Sequence, residues 1–344
     1  MIKCTHNSRR AQSIVEIHKA RTKAGRKGML NARIIQGVAN GLEKFVIGAF
    51  ISGMAVFKRR IDAETFERLV AEGKITEAME IVPWNELQSD LSKIEGFMVA
   101  AFLSAGEKAI ELMPAPARSL RLTPDNPAMK RFIDETIGLR IVNITEDARR
   151  AVANVTVAQL RNGLTVTRTA ELIKTHVGLT ELQSARIMNF QLKEIQKREN
   201  LQGRLATLKA QGLGTSRSAK SLDRQLLNLT DDKIELRTLR QSESAARTRA
   251  RAIARTELNR AVNAGQQLVW NEAANQGLIE GDKKIKVWTT IPDNDRSAIC
   301  TDLDGQTAPL INGTFFVAQT GGVVEHPPAH VNCRSSLVLE DAPE

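Results

Sequence analysis

Between residues 62 and 113 apolar side chains return at every third or fourth position. "DAETFERLVAEG" and "WNELQSDLSKIEGFMVAAFLSAGEKAIELM" each read as an amphipathic helix, with Asp62 and Asn85 placed to cap them. Past residue 128 the same period continues in shorter pieces. "TEDARRAVANVTVAQLRNG" stops at Gly163, "TVTRTAELIKTHVG" stops at Gly178, and "TELQSARIMNFQLKEIQKRENLQG" follows. A threonine comes soon after each glycine, the order expected of a C′ glycine leading into the next N-cap. His176, beside Gly178, is expected on the surface, where a helix C-terminus favours it. A break at 211–221, "QGLGTSRSAKS", precedes a long helix predicted from about Asp232 to Gln276. Its buried stripe is Ala250, Ile253, Ala254, Leu258, Ala261, Val262, Leu268 and Val269.

After Gly281 the period changes from helical to alternating. "KIKVWTTI" (284–291) is rich in β-branched residues and predicts a strand, with "GTFFVAQ" and "SSLVLE" as further strands between turn sequences. Four of the ten prolines fall within 114–127, which therefore reads as a linker, whereas none lies between Pro127 and Pro292. The expected architecture is mainly α: helical N-terminal and middle regions with a small C-terminal α+β module. Its expected divisions are 1–113 (helical, with a basic arm), 114–127 (linker), 128–231 (helical) and 232–344 (long helix plus small α+β).

Charge refines this picture without altering it. The chain of 344 residues has a net charge of +10, which favours a polyanionic partner but says nothing of fold. Residues 1–27 carry eight Lys and Arg against Glu16 alone, an arm suited to solvent or to phosphate. Arg247, Arg251 and Arg255 recur every four residues on the long helix, a row that reads as a solvated face or as a phosphate- or partner-contacting one. Tyrosine is absent and aromatic residues make up 4% of the chain, so stacking on single-stranded bases is not expected and any DNA contact would be non-specific. The uncharged run Phe45–Phe57 spans only about 20 Å as a helix, against about 30 Å of hydrocarbon. It is expected to be a buried core helix, without stable membrane insertion. Cys4, Cys300 and Cys333 do not form a disulfide framework and suit a reducing compartment. The polar, basic N-terminus does not resemble a secretory leader.

Candidate chemistry concentrates near the C-terminus, in "VEHPPAHVNCRSSLVLE" (324–340). His330 and Cys333 are two residues apart and can face one ion from a turn. With Cys300 and either His326 or Asp302 they supply four ligands suited to zinc. The candidate metal set is thus Cys300, His326, His330 and Cys333, holding a structural zinc. The competing reading is a turn-rich module in which both cysteines are small buried hydrophobes, or one closed by a Cys300–Cys333 disulfide. A metal-dependent nuclease or other hydrolase built on His326, His330, Cys333 and nearby aspartates is the enzymatic alternative. No nucleophile elbow or established protease signature surrounds either cysteine, so no catalytic residue is assigned.

"ARTELNRAVNAGQQLVW" (254–270), "KVWTTIPDNDRSAICTDLDGQ" (286–306), "FF" (315–316) and "HPPAHVNCRSSL" (326–337) occur in that order. Together they resemble the C-terminal domain of the phage Mu F-type head morphogenesis proteins, the minor head proteins of tailed phages, and "GLTELQSARIMNF" (178–190) is similar to the helical segment before it. The resemblance covers about residues 145–340. It implies motif positions at Arg255, Thr256, Glu257, Asn263, Asp295, Arg296, Cys300, Asp304, Gly305, His330, Asn332, Cys333 and Arg334. Two departures stand out: Asp295 and Arg296 are adjacent, leaving the aspartate's register between Asp293 and Asp295, and Ser335 replaces the final cysteine of the family's Asn-Cys-Arg-Cys. The resemblance further implies a non-enzymatic, low-copy minor capsid component, made in the host cytoplasm and built into the virion, in the capsid interior or near the portal. Its implied partners are the portal protein, a scaffold or the major capsid protein, during prohead assembly or DNA packaging.

Overall fold

The computed structural model of the chain describes residues 24–123, 126–161, 174–290 and 296–343. Most of the basic arm, the expected helix end at Gly163, and Asp293 and Asp295 lie outside the described residues. The fold is mainly α, with a small α+β module near the C-terminus.

The helices are α1 (Ala24–Arg60), α2 (Ala63–Ala71), α3 (Ile75–Glu80), α4 (Trp84–Leu112), α5 (Pro127–Phe132), α6 (Leu139–Arg161), α7 (Glu181–Ala210), α8 (Arg217–Leu226) and α9 (Asp231–Asn275). A π-helical stretch, Ile133–Gly138, carries α5 into α6. Asp62 caps α2 as its spacing predicts, accepting a hydrogen bond from the Thr65 amide at 3.1 Å. Asn85 is not the cap of α4, because the helix already begins at Trp84. Thr180 opens α7 with a capping box: its hydroxyl accepts from the Gln183 amide while Gln183 accepts from the Thr180 amide. Gly178, just before it, sits at φ +89°, the left-handed geometry that a C′ glycine supplies.

The chain divides into two compact units that do not follow its order. One comprises residues 1–47, 93–138 and 251–344; the other comprises 48–92 and 139–250. α1, α4 and α9 therefore each contribute residues to both. In the second unit, Leu201 and Leu205 of α7, Ala219 and Leu222 of α8, and Leu229 form a small core. Leu179, Ile187 and Ala246 form another. The Arg249 guanidinium is buried and reaches the Asp147 carboxylate at 3.0 Å. His176, expected on the surface, is instead fully buried here with Val177 and Leu179, because the turn after its helix folds inward.

In the first unit, α9 leads through a 3₁₀ turn into β1 (Lys284–Thr289), then α10 (Ala298–Leu303), β2 (Thr307–Pro309), β3 (Phe315–Val317), β4 (Gly322–Val324) and β5 (Ser336–Asp341). β1 is the centre of a three-stranded antiparallel sheet, β2-β1-β5, with Val287 opposite Thr307 on one side and Val338 on the other. β3 and β4 form a separate hairpin. Trp288 and Phe315 meet edge to face at 5.2 Å in the core, beside Trp270 and Leu337. The proline-rich segment is no free connector: Ala117 and Leu120 are buried in that same core. Gly265 allows α9 to approach α4 closely, since a Cβ there would lie 2.1 Å from the Phe102 carbonyl oxygen.

The Phe45–Phe57 run lies within α1 and buries Val46, Phe50, Met54 and Phe57 along one face. The helix extends beyond that run, and by length and composition Gly28–Arg60 is long and apolar enough to cross a membrane. Core helices of soluble proteins pass the same test.

Candidate functional site

The module is closed by side chains of α9 that hold a backbone. Thr256, Asn259, Asn263 and Gln266 stand three or four residues apart, so they share one face of the helix, and all four are buried. The Thr256 hydroxyl accepts from the Asn332 amide at 2.9 Å while donating to the Ala252 carbonyl. Asn259 donates to the Cys333 carbonyl at 3.0 Å. Asn263 accepts from the Leu337 amide at 3.1 Å, and its own amide donates to Asn259. Gln266 donates to the Leu337 carbonyl at 3.3 Å. Buried polar groups are tolerated when satisfied in this way; of the four side chains only Gln266 Oε1 is left without a partner among the described residues. The four act as an adhesive strip for residues 332–337.

Cys333 on that segment faces Cys300, which α10 presents on its first turn. Ser297 caps this helix, its hydroxyl accepting from the Cys300 amide at 3.1 Å. The two sulfurs are 3.7 Å apart, and His330 Nε2 lies 2.8 Å from the Cys300 sulfur and 2.8 Å from Ser297 Oγ. His330 Nδ1 is 2.7 Å from the Val331 carbonyl. A carbonyl can only accept, so Nδ1 carries a proton, and the tautomer this sets for the neutral ring has its lone pair on Nε2, facing the sulfurs. Ser335 Oγ sits 3.3 Å from the Cys300 sulfur and 3.1 Å from Thr290 Oγ1. Both cysteines are buried and neither is in a disulfide. Their mutual contact draws the Cys333 thiol below the ordinary range, aided by the backbone amides of Ser335 and Ala329 and opposed by burial. The same contact, with burial, pushes Cys300 up.

Among the described residues, Cys300, His330 and Cys333 are the group whose donor atoms could hold a metal ion, all lying within 4.8 Å of one another. His326 does not join them. Its Nδ1 donates to the Pro327 carbonyl at 2.7 Å, and burial holds its pKa down. Asp302 is exposed and accepts from Gln319. Asp304 closes the end of β1 instead, accepting from the Thr290 amide at 3.0 Å and standing 3.4 Å from Arg296. Gly305, at φ +84°, donates its amide to the Trp288 carbonyl.

On α9, Arg247 and Arg251 are exposed, while Arg255 pairs with Glu43 at 2.9 Å. Glu257 pairs with Arg260 at 3.0 Å. Arg255 and Arg334 line a cleft of about 300 Å³ with Gln36, Glu43 and one side of Cys333. Apolar periodicity could not single out Asn259, Gln266, Ser297, Thr290 or Lys286. The spacing of Asn259 and Gln266 from Asn263 was the available signal. Lys286 is fully buried and donates to the carbonyls of Gly313 and Glu325 at 2.8 and 3.1 Å, tying β1 to the loops on either side of the β3–β4 hairpin.

Residues 210–338, which contain α9, β1 to β4, the start of β5 and the cysteine–histidine cluster, match the family described as Phage Mu protein F like protein. Over these residues the chain is similar to the Mu F-like phage protein family. Comparison with curated proteins and with solved structures gave no match. The similarity over this module suggests a context of phage head morphogenesis and virion assembly. The adhesive strip, the Arg296–Asp304 contact and the Cys300/His330/Cys333 cluster all fall within it.

Proposed function

We propose that this protein is a structural minor component of the phage head, present in few copies and acting near the portal during prohead assembly or DNA packaging. The observation that carries the reading is the family match over residues 210–338. What supports a structural rather than a chemical role is the work done by the motif side chains. Thr256 and Asn263 bond the backbone of the closing segment. Asp304 and Arg296 pin the end of β1. A portal, scaffold or major capsid protein is the expected partner, and the exposed Arg247 and Arg251 suit non-specific contact with packaged DNA.

The reading is tested by deleting the gene from its phage and counting the protein in purified virions by quantitative mass spectrometry. Expected results are a few copies per wild-type particle, and malformed or non-infectious heads in the deletion. Normal titre and normal heads in the deletion phage would overturn it.

A further inference from the structure

We infer that Cys300, His330 and Cys333 bind one zinc ion, in a site whose fourth position opens toward Ser335 and Ser297 and is filled by water or a serine hydroxyl. Three features of the cluster carry this, and none depends on the proposed head role.

The first is spacing. Two thiolates at about 2.3 Å from one tetrahedral zinc are about 3.8 Å apart, and the Cys300 and Cys333 sulfurs are 3.7 Å apart. A disulfide would require them to close to about 2.05 Å. The second is the state of the imidazole. The Val331 carbonyl takes the Nδ1 proton, which leaves Nε2 as the donor atom aimed at the sulfurs, the outer-shell arrangement that metal-ligating histidines use. Binding widens the 2.8 Å separation of Nε2 and Cys300 Sγ to about 3.5 Å. A small rotation of the half-exposed His330 ring supplies that movement. The third is how rigidly the ligands are held. Asn259 fixes the Cys333 carbonyl and Ser297 fixes the Cys300 amide, while the Cys333 amide bonds back to the His330 carbonyl at 3.2 Å. The two cysteines are therefore set by α9 and α10 independently of the ion.

The donor set selects the metal. Two thiolates with one imidazole suit zinc, whereas calcium and magnesium require oxygen ligands. Binding releases the two thiol protons, and two thiolates with one Zn²⁺ leave the buried site neutral. The ion would join α10 to the segment that α9 holds.

The test uses untagged full-length chain carrying Cys4→Ser, so that only the two site thiols are counted. Elemental analysis of protein purified without chelator is expected to give about one zinc per chain. After chelation under reductant, cobalt(II) should produce the thiolate charge-transfer and visible bands of a tetrahedral site, which zinc then abolishes. His330→Ala and Cys333→Ser should lose stoichiometric metal. Ser335→Cys, which places a third sulfur beside Cys300, should bind at least about tenfold more tightly in a chelator competition. Should the loss variants fail to fold, the cobalt spectrum of the parent and the gain in Ser335→Cys decide the matter. Metal-free protein with two reactive thiols and no cobalt bands would overturn the inference. So would a mass lower by two hydrogens, which would assign a disulfide instead.

Discussion

Acidification is expected to loosen the helical unit made of residues 48–92 and 139–250 through a single imidazole. His176 has no exposed surface, and neither ring nitrogen has a hydrogen-bond partner among the described residues. Burial, and then the nearby Lys58 ammonium, lower its pKa from 6.5 to about 4. Lys58 is itself lowered by burial, with Glu243 acting the other way. The folded protein thus resists protonating this ring, and the unfolded chain binds more protons at every pH between the two values. Stability therefore falls as the pH drops through 6.5 and levels off only below about 4. At about pH 5 the unfolded ring is mostly charged and the native one mostly neutral, a thirty-fold imbalance worth about 2 kcal/mol. His176→Leu removes the proton site and leaves no polar atom behind. Urea titrations at about pH 8, 6.5 and 5, followed by hydrogen exchange in peptides from residues 174–210, report on this unit directly. Carboxylates titrate equally in both proteins, so the difference between their pH profiles isolates His176. The variant should lose about 2 kcal/mol less than the parent between about pH 8 and 5. Parallel profiles would refute the reasoning.

Other residues yield sharper yes-or-no outcomes. Gly265→Ala drives a Cβ against the Phe102 backbone and should cost about 3 kcal/mol or more in chemical denaturation. Gly203→Ala, on α7 with nothing within 4 Å of the new atom, should instead add about 0.5–1 kcal/mol. Asn263→Ala strips the acceptor from the buried Leu337 amide; it should cost about 1–3 kcal/mol and speed hydrogen exchange at Leu337. Burial lowers the Lys286 pKa from 10.5 to about 8, with Glu325 opposing. The unfolded chain again binds more protons between those values, so stability should rise by up to about 2 kcal/mol from about pH 8 to 10. Lys286→Met should lack that rise in guanidinium titrations.

The long helix, the first strand and the capped starts at Asp62 and Thr180 were legible because each rests on a local pattern of a few residues. The gathering of Cys300, His330 and Cys333 was partly legible, since two of the three are neighbours in the chain and zinc chemistry restricts the rest. His326 misled because proximity along the chain does not reveal where a ring nitrogen turns. His176 misled because a helix C-terminus is usually solvated, and only tertiary packing buries this one. Asn259 and Gln266 were invisible to a search for apolar stripes, although a buried polar stripe has the same period. No local signal reports that residues 24–47 and 93–138 share a unit with residues 251–344.

The interleaving of the two units also sets a timetable for synthesis. Every segment of the unit formed by 48–92 and 139–250 has been made once residue 250 is joined. The other unit begins with α1 but lacks its central sheet until β5 is added, about 90 residues later. At ribosomal rates of roughly 5–20 residues per second, that is a wait of about 5–20 s. Throughout it, the early part of α1 carries an apolar face with no sheet to cover it. A nascent chain of this protein therefore completes its middle unit first, and a ribosome stalled far enough past residue 250 for that segment to clear the exit tunnel would display that unit with the other still incomplete. That interval is when a chaperone, or an assembly partner arriving early, would meet the chain.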